Sequence, residues 1–112
     1  MDTPPNAFTV EHRSEPAYHV LKVIGDIDIF TTPNFTSALE KAFGSPRIVI
    51  DLSECRYIDS TGISALYRWQ QQNKGKMRLV LGTQDMIRRI LNVARVDKFI
   101  QVYASVEEAA TA

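Results

Sequence analysis

The chain has 112 residues, 45% apolar and 23% charged, the balance of an ordinary soluble globular domain. Thirteen basic residues cancel thirteen acidic ones, so no overall field draws it to nucleic acid or an anionic membrane. The lone cysteine, Cys55, excludes an internal disulfide and fits a reducing compartment, and the length suits one domain whose core needs no metal.

The opening residues Met1-Asp2-Thr3-Pro4-Pro5-Asn6 lack the basic and apolar regions of a signal peptide and read as a flexible tail over 1–6. No run approaches the ~18 apolar residues of a spanning helix, so the expectation is a soluble, cytoplasmic domain over 7–112. Phe8, Val10 and His12 alternate with Thr9, Glu11 and Arg13, the period of a half-buried strand. After Ser14-Glu15-Pro16, alternation resumes from Tyr18 to Ile24, close enough to pair with the first strand as a hairpin. Gly25-Asp26-Ile27-Asp28 ends that strand in an acidic turn.

Thr32-Pro33 predicts a helix start, with a hydroxyl at the cap and proline at the first position. Phe35, Ala38, Leu39 and Ala42 follow at helical spacing until Gly44-Ser45-Pro46. Arg47 to Leu52 is mostly apolar, as a central strand buried on both faces must be. Tyr57-Ile58-Asp59-Ser60-Thr61-Gly62 then leads into a helix with Ile63, Leu66, Tyr67 and Gln70 as its inner stripe and Trp69 at the edge.

Asn73-Lys74-Gly75-Lys76 breaks the pattern before a strand at Met77 to Leu81. Thr83 predicts the cap of a third helix facing inward with Ile87, Ile90, Leu91 and Ala94. Ile100 to Tyr103 is a short last strand, and Ser105 caps a final helix from Val106. This order implies a single α/β domain, a mixed sheet of about five strands covered by about four helices.

Catalytic apparatus is missing from the pattern. His12 and His19 both lie in the N-terminal strands, and no Cys/His spacing suits a metal. Ile58 stands where a Gly-x-Ser-x-Gly elbow needs its first glycine, and no phosphate-binding loop occurs. Neither catalytic residue, metal site nor cofactor is expected, and a nucleotide-binding domain lacks its loop. A binding protein is the remaining class. Parallel pairing of the second and third strands would bring both acidic exits to one edge, with Asp26, Asp28, Thr31, Thr32 and Asn34 around Ser60. On residue chemistry alone Ser60 is either a helix cap or a phosphate acceptor at a helix N-terminus, and Asp59 is a second candidate cap.

Taken together, Gly25-Asp26-Ile27-Asp28, Val49-Ile50-Asp51-Leu52-Ser53, the Tyr57–Gly62 segment, and Ile87-Arg88-Arg89-Ile90-Leu91 through Val96-Asp97-Lys98-Phe99 resemble a STAS domain. More narrowly they resemble the bacterial anti-sigma factor antagonists, over roughly residues 8 to 110. The resemblance implies an antagonist that binds an anti-sigma factor with serine-kinase activity and so frees a sigma factor. It further implies that the kinase phosphorylates Ser60 to break the complex and that a phosphatase restores it. Asp26, Asp28 and Asp59 match family positions near that surface, and Thr31, Thr32, Asn34, Thr61 and Gly62 complete the expected partner-binding set.

Three departures accompany the likeness. Ser64 stands where many relatives carry a second glycine, Thr61 adds a second hydroxyl, and Ala94-Arg95 replaces a frequent glycine, so the third helix is expected to end without a left-handed cap. The alternative reading within the family is an adaptor subunit of a lipid-transport or stress-signalling assembly.

Overall fold

The computed structural model describes residues 8–73 and 75–112; the expected tail over 1–6 lies outside them, as does Lys74. The elements are β1 (Thr9–Ser14), β2 (His19–Ile24), α1 (Thr32–Ala42), β3 (Ile48–Glu54), α2 (Ser60–Gln72), β4 (Met77–Val80), α3 (Asp85–Val93), β5 (Gln101–Tyr103) and α4 (Val106–Thr111). A 3-10 turn at Val96–Lys98 precedes β5. The strands lie in chain order across one mixed sheet. β1 and β2 form the expected antiparallel hairpin, while β2, β3, β4 and β5 run parallel.

The apolar run of β3 takes the middle of the sheet because both of its faces must be covered. Leu21, Val23, Ile48, Ile50, Leu52, Met77 and Leu79 face the layer that holds Phe35 and Leu39 of α1, Leu66 of α2, and Ile87 and Leu91 of α3. Val20, Val49 and Val80 point the other way, onto Ala109 of α4. Each fully buried Leu, Ile or Phe here contributes roughly 1.5–3 kcal/mol of hydrophobic stabilisation before chain entropy is subtracted. Asp51, 8% exposed in the same strand, accepts a hydrogen bond from the Ser53 amide at 2.9 Å.

Four local expectations are corrected. Thr31, not Thr32, occupies the cap position of α1, and Pro33 falls one place further in. The cause is Asp28: its backbone carbonyl already accepts from the amides of Thr31 and Thr32, so the helix opens one residue early. Thr83 does not cap α3. Gln84 holds the cap position in an extended conformation, and no side chain bonds the first turn there. On α2, Ala65 is buried where Tyr67 was expected; Tyr67 is 47% exposed and meets Phe99 edge to face. The stripe Gly62, Ala65, Leu66, Gln70 keeps helical spacing, and the aromatic falls just outside it.

The fourth correction concerns the end of α3. Ala94 is right-handed, but Arg95 adopts φ 57° and ψ 42°, a left-handed cap built without glycine. Its amide donates to the Asn92 carbonyl at 3.1 Å. A side chain in that region costs on the order of 1–2 kcal/mol, partly offset by its lower freedom when unfolded. Arg95→Gly is therefore expected to stabilise the domain by about 0.5–1 kcal/mol, read as a higher urea midpoint at unchanged slope. A lowered midpoint would show that the arginine side chain makes contacts worth more than the strain.

Candidate functional site

Two loops leave the same end of the sheet because β2 and β3 are parallel. Ile27 and Ile58 pair as an isolated parallel bridge; the Ile27 amide donates to the Tyr57 carbonyl at 2.9 Å and the Asp59 amide to the Ile27 carbonyl at 3.0 Å. Within the expected turn at Gly25–Asp28 the chain does bend at Gly25, φ 107°, and at Asp28, but Ile27 between them is buried in the bridge, and a hydrogen-bonded turn follows at Asp28–Thr31. Thr32 Oγ1 and Thr61 Oγ1 close the seam at 3.1 Å.

Each loop is organised by one aspartate. Asp28 Oδ1 accepts from the Phe30 and Thr31 amides at 2.9 and 3.0 Å, a local turn typical of this side chain. Thr31 Oγ1 donates to the Asp26 carbonyl at 2.8 Å and accepts from the Asp28 amide at 2.9 Å. Asp59 is the N-cap of α2: its Oδ1 accepts from the Thr61 and Gly62 amides at 2.9 and 3.2 Å and from the Thr61 hydroxyl. Of the two candidate caps, the position falls to Asp59. Ser60 is the first helical residue, exposed, and takes part in none of the cap bonds. Thr61 is half-buried with its hydroxyl engaged on both sides.

Burial works against charge on Asp59, but the Thr61 hydroxyl and the amides of Gly62, Thr61 and Ile29 outweigh it and lower the pKa. A depressed carboxylate contributes stability that is present above its unfolded pKa and is lost as pH falls through the folded one. Asp59→Ala is therefore expected to cost about 1 kcal/mol at neutral pH and less in strong acid, where wild type has lost the charge but keeps a neutral acceptor. Urea midpoints across acid pH check this; a gap between the two proteins that does not narrow as pH falls would mean that the charge adds nothing to the cap.

Gly62 is buried under the bridge, and a Cβ there would sit 2.6 Å from Ile27 Cγ2 and 2.7 Å from Ile58 Cγ1. Cys55 is fully buried; burial first, moderated by its bond to the Tyr57 carbonyl, pushes its thiol up to about 11, so it is an inert residue beneath the loops. Asn34 is exposed on α1 and lines a cleft with Phe8 and His12, on the β1 side of the helix.

The model of the STAS domain matches residues 8–109, nearly all of the chain. This chain belongs to the STAS family. The STAS chain is 24% identical over 105 residues to the anti-sigma-B factor antagonist of Staphylococcus aureus (strain NCTC 8325 / PS 47), covering 89% of this chain and 96% of that one. It is 27% identical over 101 residues to the anti-sigma-B factor antagonist of Listeria monocytogenes, covering 85% and 88%. Among solved structures, an anti-sigma factor antagonist from Mycobacterium paratuberculosis superimposes with a TM-score of 0.85 at 25% identity, over 97% of this chain and 96% of that one. By sequence and fold the STAS chain groups with the anti-sigma factor antagonists.

Two residues at the STAS loop edge escape the sequence pattern. Ile29 is 63% exposed and Phe30 85%, immediately after Asp28, with Tyr57 40% exposed on the neighbouring loop. An adjacent apolar pair projecting from a hydrogen-bonded turn is not the scattered exposure normal for a surface. The available signal was its position: two large apolar residues between a turn aspartate and a helix start, where neither periodicity nor a strand gives them a core to join. Among the described residues, no helix is long and apolar enough to cross a membrane.

Proposed function

We propose that this protein is a cytoplasmic anti-sigma factor antagonist, a binding protein rather than an enzyme, switched off by phosphorylation of Ser60. Its partners in this reading are an anti-sigma factor with serine-kinase activity and a phosphatase that removes the phosphate. The carrying observation is the division of labour at α2: Asp59 caps the helix, which leaves the Ser60 hydroxyl exposed and unengaged. Thr61, the other hydroxyl, is already committed to Asp59 and Thr32. The names of the antagonist relatives support the choice of partner.

Ile29 and Phe30 supply the apolar anchor of the docking surface, and Asp26, Asp28 and Asp59 make the two loop exits acidic. Thr31, Thr32 and Gly62 contribute by holding the two loops, since their groups are spent on internal bonds or packing. Asn34 extends the surface along α1 toward β1.

Incubating the protein with its cognate anti-sigma factor and ATP is expected to add one phosphate by intact mass, located at Ser60 by peptide spectrometry and abolished in Ser60→Ala. Equal modification of Ser60→Ala and wild type would sink this reading.

A further inference from the structure

His12 on β1 and His19 on β2 lie on the sheet face that carries α1, one pair out of direct register: His12 is opposite Leu21, and His19 is opposite Ser14. Nδ1 of His12 stands 2.9 Å from Nε2 of His19, with the rings T-shaped and their centroids 5.2 Å apart. His12 is exposed and His19 half-buried, so solutes reach the pair. It sits at the start of β2, whereas the Ser60 loops leave the other end, roughly 16 Å along the strand. Phosphorylation makes no use of it, and the proposed docking surface reaches toward it only through Asn34.

We propose that His12 and His19 form a two-ligand chelating site for a divalent late first-row transition metal, Ni²⁺ or Cu²⁺ in preference to Zn²⁺. Imidazole nitrogens bind such ions at about 2.0–2.1 Å, so two ligands of one ion stand about 2.9–3.4 Å apart. The 2.9 Å spacing here is that of the pair's own hydrogen bond, and a turn of the rings brings both nitrogens onto one ion; with two protein donors only, the positions left for water suit the square-planar or octahedral fields of Cu²⁺ and Ni²⁺ better than the three- and four-ligand sets of Zn²⁺. In the free pair one nitrogen donates its hydrogen to the other. On binding, that proton moves to the second nitrogen of the same ring, and both lone pairs turn to the ion. Within a neutral pair the step requires no net loss of a proton.

Among the described residues no group of three or more His, Cys, Asp or Glu is placed to hold a metal, so the other coordination positions go to water or an incoming side chain. Asn34 and Ser37 line the cleft of about 290 Å³ beside His12, with Lys41 as its cation. An ion held by both imidazoles cross-links β1, the edge strand, to β2.

Titrating the full chain with NiCl₂ in a non-coordinating buffer at about pH 7.5, where imidazole is mostly neutral, is expected to show one saturable site and a rising thermal midpoint. His12→Gln and His19→Gln should each weaken binding by at least about tenfold, and ZnCl₂ should bind more weakly than NiCl₂. Absence of saturable binding, wild-type affinity in either variant, or tighter binding of Zn²⁺ would overturn the assignment. Should a variant lose its circular dichroism, substoichiometric Cu²⁺ on wild type decides. Proton line broadening confined to the two imidazole rings supports the site, and broadening centred elsewhere rejects it.

Discussion

Replacing Gly62 by alanine is expected to destabilise the domain by about 1–2 kcal/mol, the net of two opposed effects. Helix propensity alone favours alanine inside α2 by ~1 kcal/mol, so a surface glycine would be improved by the change. At Gly62 the new methyl lands 2.6 Å from Ile27 Cγ2 and 2.7 Å from Ile58 Cγ1, well inside contact distance. Ile27 is fully buried and Ile58 1% exposed, so neither side chain can swing into solvent. A clash this close takes the upper part of the usual strain cost, about 2–3 kcal/mol, and relief requires α2 to lift from the bridge, carrying Asp59 and Ser60 with it. Urea denaturation measures the loss, and a cycle with Ile27→Ala, which removes one of the two clashing carbons, should show a favourable coupling between the two changes. An unchanged or raised stability for Gly62→Ala would mean that the helix sits further from the loops than described.

Phosphorylation of Ser60 is expected to weaken binding of the anti-sigma factor by more than a hundredfold, about 3 kcal/mol, while leaving the fold intact. The group adds about −1.5 to −2 charge at pH 7. A bare helix N-terminus would neutralise part of it through free amides. Here the Thr61 and Gly62 amides are already bonded to the Asp59 carboxylate, so the phosphate arrives as surplus negative charge beside an existing one. Exposed, it costs the free domain little because water solvates it. Buried under a partner seated on Phe30 and Ile29, it faces desolvation and like-charge repulsion together. Calorimetry with the modified and unmodified full chain measures the difference, and near-ultraviolet dichroism checks the fold. Equal affinities would reject the switch even if Ser60 proves to be the acceptor.

Much of the architecture was legible because burial leaves a periodic trace. The inner stripe of α1 emerged residue for residue, Phe35, Ala38, Leu39 and Ala42 all being buried. The continuous run in β3 marked the centre of the sheet, and Ser105 caps α4 as its chemistry suggests, accepting from the Glu108 amide. What failed was competition between neighbouring groups. Ser60 and Asp59 are adjacent and both suited to a cap; only the backbone course decides that the carboxylate takes the amides. Thr32 lost its place because Asp28, four residues earlier, gathers the helix start. Arg95 adopts a conformation that residue preferences disfavour, which no local reading of Ala94-Arg95 would choose. Phe30 belongs to neither core nor periodic surface, so hydrophobic patterning had no category for it. The meeting of His12 with His19 depends on strand register, and spacing along the chain does not encode it.

The bridge between Ile27 and Ile58 also bears on how fast and how tightly a partner is captured. Two loops tied by backbone bonds hold one shape before the encounter, so association does not have to freeze them. The entropy that a floppy recognition loop would surrender, roughly 1–2 kcal/mol for each residue ordered, is settled when the domain folds. Contacts made by a few side chains on such a platform therefore translate more fully into residence time. On the proposed switch, the same stiffness would make release abrupt: a platform tied by backbone bonds offers few gentler arrangements in which to keep a partner beside an added charge.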